Sequence, residues 1–171
     1  MENLFEIWLN RMDSFYEEQY YEPVVEALCQ YHGGSADGRV AKGKLFSAGY
    51  EVFIYAFFVG LYYGERTPLK GEKRKFRMEM STWGRKKNEQ GRKSYTILQK
   101  YIFTALVAKS DIDLIALDKG ENSSKEICDA LMITLNEYAN TGFGIIKSEM
   151  DRNNGKFMEN TGLVDFIKKF C

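Results

Sequence analysis

The sequence predicts a mostly α, single-domain helical bundle built around one buried apolar helix (48–63), with one or two short strands beside it. Three observations carry that expectation. The stretch "AGYEVFIYAFFVGLYY" holds a single charge, Glu51. The segments on either side repeat apolar residues at helical period. No βαβ unit and no repeat of solenoid period is visible. The composition, 44% hydrophobic and 28% charged, is that of a globular domain, and 15% aromatic residues promise a ring-packed core. A chain of 171 residues buries roughly two thirds of its unfolded surface without needing a staple.

Five segments follow in order: acidic N-terminal helices over 1–32, a Gly-rich loop over 33–45, the central helix over 47–63, a basic segment over 66–93 and C-terminal helices over 94–170. In "ENLFEIWLNRM" the spacing of Leu4, Phe5, Trp8, Leu9 and Met12 predicts an amphipathic helix. Pro23 suits the first turn of "PVVEALCQYH", which "GGSADG" breaks. Around 48–63, Ser47 is positioned to cap, Glu51 lies near the positive helix end, and Gly64 followed by Pro68 supplies the stop. The run is too short and too interrupted for a membrane span. "FRMEM" (76–80) reads as a short strand, and "DIDLIAL" (111–117) as strand or helix. Ile97, Leu98, Tyr101, Ile102, Ala105 and Leu106 repeat at helical period, which predicts a helix beginning at Ser94. Ser123 and Glu126 form a capping box for a helix with the stripe Ile127, Leu131, Leu135 and Tyr138, expected to stop at Asn140–Gly142. A shorter segment, a turn at "NNGK" and a closing helix "GLVDFIKKF" complete the chain.

Cys29, Cys128 and Cys171 are odd in number and far apart, and no signal-peptide pattern opens the sequence, so a reduced, cytoplasmic protein is expected. Cys29 and His32 make a C-x2-H pair without the further ligands that a structural zinc requires, and no metal or other cofactor is expected. Gly38–Lys44 spells G-x-x-x-x-G-K, but Leu45 replaces the Ser or Thr that binds magnesium and no apolar strand precedes the loop. His32 is the sole histidine, and Glu51 is better placed to reach water at a helix end than to act in a pocket. The sequence therefore leans away from an enzyme.

Charge is balanced overall but segregated. Residues 1–38 carry one basic and eight acidic side chains, 39–100 fifteen basic and five acidic, and 101–171 eight and eleven. The middle block invites a phosphate-contact reading through Arg74, Lys75, Arg77, Arg85, Lys86, Lys87, Arg92 and Lys93, with Trp83 as a stacking or anchoring ring. Arg39, Lys42 and Lys44 form a secondary phosphate loop. The competing reading is a solvated face that pairs with acidic segments of its own chain or of a neighbour. Exposed rings at Tyr20, Tyr21 or Trp83 would then anchor a protein interface.

The windows "FSAGYEVFIYAFFVGLYYGERTPL" and "LNEYANTGFGII" resemble the small helical DndE-type proteins of bacterial DNA phosphorothioation and defence clusters. That resemblance implies a non-enzymatic, often oligomeric helical protein that touches DNA through surface lysines and arginines beside larger components. The chain departs from the pattern by a long basic insertion between the windows and an acidic N-terminal extension. Nucleic acid, most simply DNA, is the expected partner, with protein partners or a homo-oligomer as the alternative and no membrane association.

Overall fold

The computed structural model describes residues 3–29, 44–84, 95–157, 159 and 161–170. The fold is mostly helical, as expected, and the described residues form one small antiparallel two-stranded sheet. The chain forms two compact units. The first comprises 1–14 and 75–135, and the second 15–74 and 136–171.

In the first unit α1 (Leu4–Leu9) starts at Asn3, whose side chain accepts from the Phe5 N–H. It packs on α3 (Thr96–Lys109) through rings: Phe103 lies 5.2 Å from Phe5, edge-on, and 5.5 Å from Trp8. Such tilted pairs suit the ring quadrupoles and add to the apolar area that Trp8 buries. Arg11 bridges Asp13 and Asp129, tying the end of α1 to α5 (Ser124–Phe157) within this unit. The inner face of α3 is Gln99, Ile102 and Leu106. Gln99 donates to the Met80 carbonyl at 2.6 Å, which satisfies its buried amide. Of the apolar residues that repeat along this helix, Ile102 and Leu106 are buried while Ile97 and Tyr101 are exposed, because the spacing fits two faces and tertiary packing chose one. A short helix, α4 (Leu114–Asp118), follows, and Asp113 caps it by accepting from the Ile115 and Ala116 N–H groups. Of residues 111–117, 114–117 are helix, 111–113 lead into it, and none is strand.

The expected capping box opens α5: Glu126 accepts from the Ser123 N–H and hydroxyl at 2.8 Å, and the Ser123 hydroxyl accepts from the Glu126 N–H. Ile127, Leu131, Leu135 and Tyr138 are buried along one stripe, as their spacing requires. The expected stop at Asn140–Gly142 does not occur. The helix runs on, and a break in helical geometry comes at Asn153 (φ −141°, ψ 44°).

The reason lies in the second unit, where α2 (Gly49–Tyr63) crosses this part of α5. A β-carbon on Gly142 would sit 1.8 Å from the Ala56 carbonyl oxygen, and one on Gly60 would sit 1.9 Å from that of Tyr138. Two glycines therefore let two backbones touch, and Gly142 serves packing instead of termination. Phe143 adds ring contacts with Tyr16, Tyr20 and Phe53, and Phe57 meets Tyr138 edge-on. Val52, Phe53, Ala56, Phe57 and Val59 are fully buried, so the apolar run is a core helix. Among the described residues no helix is long and apolar enough to cross a membrane. At the start of α2, Ala48 offers no side-chain acceptor, and Glu51 supplies the bonds by accepting from the Ser47 N–H (2.7 Å), the Ser47 hydroxyl (3.0 Å) and the Ala48 N–H (3.3 Å). Gly64 ends the helix with φ +88°, where a β-carbon is disfavoured.

Ahead of α2, Tyr21–Glu26 forms a π-helical turn with Val24 and Val25 buried. Pro23 sits early in it, where its missing N–H costs no internal bond. The sheet pairs β1 (Phe15–Glu17) with β2 (Lys73–Lys75). Residues 76–80, read as a strand from sequence, lie just past β2, and Met80 begins a short 3-10 turn. The last helix, α6 (Gly162–Ile167), is tied to α2 by the Tyr55 hydroxyl, which donates to the Leu163 carbonyl at 2.8 Å.

Candidate functional site

The basic segment divides into side chains already used by the fold and side chains left at the surface. Arg74 belongs to the first group. It pairs with Glu18, and its guanidinium carbon lies 3.4 Å from the centre of the Tyr21 ring. A cation over a ring is held electrostatically by the ring face. Burial alone would lower its pKa, but the neighbouring Tyr16, Glu18 and Tyr21 more than offset this and raise it. Arg66 likewise pairs with Glu137 at 2.7 Å. The acidic N-terminal segment thus neutralises part of the basic block inside the second unit.

Lys70, Lys73 and Arg77 are exposed, as is Lys75, which has a partner within the chain. Lys70 and Lys73 were not singled out from the sequence, where nothing separates an exposed lysine from one that the fold occupies. Trp83 requires a correction. It is only 3% exposed and stands edge-on to Phe76, with ring centres 5.9 Å apart, so it is a core ring of the first unit and not a surface platform. Tyr20 and Tyr21 are half-buried, the first stacked on Phe143 and the second under Arg74, so neither is the exposed anchor expected of it. Arg85, Lys86, Lys87, Arg92 and Lys93 lie outside the described residues, as do Arg39, Lys42 and His32. Lys44, the described end of the Gly-rich loop, donates to the Glu26 carbonyl at 2.6 Å and so serves the end of the π-helical turn.

Sequence reasoning missed a buried polar latch in the second unit. Glu17 is 5% exposed, yet its carboxylate accepts from the Lys70 N–H (2.7 Å), the Gly71 N–H (3.3 Å), the Asn140 amide (3.4 Å) and the Gln19 amide. Burial pushes this carboxyl up, and the four hydrogen bonds outweigh it, so its pKa falls below the ordinary carboxylate value. The latch fixes the backbone at 70–71 and thereby positions Lys70. Asn140 also donates to the Thr67 carbonyl at 3.2 Å, which holds the start of the same segment on α5. The only sequence signal was the polar "ANTG" inside an apolar helix, which reads equally as a helix stop.

Next to the latch, Tyr20, Tyr63, Thr67, Asn140, Arg152 and Lys169 help to line an open cavity of about 540 Å³. Its ionic character is mixed, since Lys169 pairs with Glu149 beside Arg152. Among the described residues no group of His, Cys, Asp or Glu could hold a metal ion. Cys29 and Cys128 are free and buried. Burial pushes the Cys128 thiol up to about 11, which leaves little thiolate at neutral pH.

No family model, curated protein or solved structure matches the chain.

Proposed function

We propose that the chain is a non-catalytic nucleic-acid-binding accessory protein that contacts the phosphate backbone through its basic middle segment. The observation that carries this reading is the exposure of Lys70, Lys73 and Arg77 within eight residues, while Arg66 and Arg74 are paired internally. Exposed cations on a stretch with little regular structure can follow a backbone and release its counterions. Arg85, Lys86, Lys87, Arg92 and Lys93 extend the same stretch in sequence. A DNA partner within a bacterial modification or defence assembly is what the resemblance of the two windows to DndE-type proteins implies, and buried cysteines outside any disulfide suit a cytoplasmic setting.

The test is fluorescence anisotropy with labelled duplex and single-stranded DNA and RNA on nucleic-acid-free protein at several salt concentrations. The logarithm of the binding constant should fall linearly with the logarithm of salt. Reversing Lys70 and Lys73 together, or Lys86 and Lys87 together, should weaken all sequences alike and flatten the slope by about one for each phosphate no longer neutralised. Absence of binding at low salt overturns the reading. In that case the exposed apolar side chains of the first unit favour a protein-interaction subunit instead.

A further inference from the structure

We infer that the open cavity beside the latch is a binding site for a nucleoside monophosphate whose base carries an amino group. The cavity lies wholly within the second unit, and its volume of about 540 Å³ is in the range of small-molecule sites. Asn140, Gly144, Ser148 and Arg152 succeed one another along its floor, each about one turn of α5 from the last, so the floor runs for about 18 Å by helical rise. Long helical side chains lean toward the N-terminus, which sets Arg152 to reach back along this floor. Gly144 keeps the middle open, since a β-carbon there would meet the Tyr20 hydroxyl alone, at 3.4 Å.

The two ends of the floor call for opposite groups. At the buried end the Asn140 amide nitrogen donates to Glu17 and to the Thr67 and Pro68 carbonyls, all of them acceptors, which fixes the orientation of the amide. Asn140 is 2% exposed, and its Oδ1 has no hydrogen-bond partner among the described residues. Leaving a buried oxygen in this state is costly, and an N–H group of a ligand would satisfy it. The Glu17 carboxylate beside it makes this end favour a donor over an anion. At the open end Lys169 is held by Glu149 at 2.5 Å, whereas the exposed Arg152 makes no ion pair among the described residues. A guanidinium in that state can take a phosphate through two parallel hydrogen bonds. Between the ends Tyr20, Tyr63, Ile145 and Phe166 offer apolar and aromatic surface to a flat ring. A planar ring with a donor edge, joined to an anionic group, is the chemistry of such a nucleotide. Lys70, Lys73 and Arg77 do not line the cavity, so the inference does not rest on the backbone-contact reading.

Isothermal titration calorimetry of the full chain with adenosine monophosphate tests the inference, and a dissociation constant below about 1 mM is expected. Inosine monophosphate turns a carbonyl oxygen where adenine turns its amino group, and should bind at least about tenfold more weakly. Arg152→Glu should weaken adenosine monophosphate at least about tenfold, and Ser148→Leu, which fills the floor, should do the same. Both positions are exposed, and circular dichroism checks that each variant folds. Should either fail to fold, the comparison of the two nucleotides decides alone. A single strand bearing a terminal phosphate, set against the same strand without it, identifies the source. Binding of the phosphorylated strand alone, lost in Arg152→Glu, assigns the site to the end of a strand, and binding of the free nucleotide assigns it to a small molecule. Lys86→Glu combined with Lys87→Glu should leave the free nucleotide bound as before, which separates this inference from the phosphate-backbone reading. No binding of the nucleotide or of the strand end overturns the inference, and so does binding indifferent to Arg152 or to the base edge.

Discussion

In the second unit α2 and α5 meet backbone to backbone at Gly60 and Gly142, whereas in the first unit α1 and α3 are joined by the rings of Phe5, Trp8 and Phe103. The second unit also buries a hydrogen-bonded carboxylate, Glu17, and hands its own cations to its own anions at Arg66 and Arg74. The first unit leaves Ile97, Tyr101, Leu114, Ile115 and Ile133 in solvent. Among the described residues the second unit exposes Tyr62, Tyr63 and Val164 of this size, fewer than the first, so backbone-to-backbone packing goes with fewer exposed large apolar side chains, while the first unit keeps apolar faces that nothing in the unit covers.

The glycine crossing is the sharpest place to break that comparison. Gly142→Val should destabilise by more than about 3 kcal/mol, because its β-carbon meets a backbone carbonyl that cannot move without separating the helices. Urea unfolding would measure this, and a loss under about 1 kcal/mol would mean that the two backbones do not touch. The matching change in the first unit is Trp8→Ala, which removes a fully buried ring and should cost about 3 kcal/mol. Tryptophan fluorescence should show the surroundings of Trp83 in the same unit disturbed, and equilibrium unfolding should report the loss.

The smallest effect concerns the latch. Glu17→Gln should cost about 1–2 kcal/mol at neutral pH, since it keeps the shape but gives up charge-assisted bonds. The sign with pH follows from the lowered pKa. The folded carboxyl holds its proton less tightly than the unfolded one, so its contribution is complete above the unfolded value near 4.3 and fades as pH falls through the lowered folded value. Unfolding midpoints measured from neutral to acidic pH should therefore converge for the native chain and the variant. A gap that persists in acid would show that the charge at Glu17 is not what the latch uses.

Where a feature is local, the sequence carried it. The Ser123–Glu126 box, the end of α2 at Gly64 and the buried stripe from Ile127 to Tyr138 each depend on residues within a turn or two. Where a partner is distant in sequence, it did not. The strand at 73–75 was read three residues late, because its register is set by β1 almost sixty positions earlier. The core side of α3 depended on Trp8 and Met80 and could not be had from its own period. Of the candidate site, the concentration of cations was legible, while which of them remain exposed depended on Glu18, Tyr21 and Glu137.

By itself the sequence determined a mostly helical chain, a core helix over residues 48–63 too short for a membrane and a cation-rich middle, because propensity, periodicity and net charge are sums over neighbours. Only the tertiary structure decided that Gly142 packs instead of ending a helix, that Trp83 is buried and that Glu17 grips the backbone at Lys70 and Gly71. Each of those outcomes turns on atoms brought within a few ångströms by segments far apart in the chain, a distance that sequence spacing does not encode.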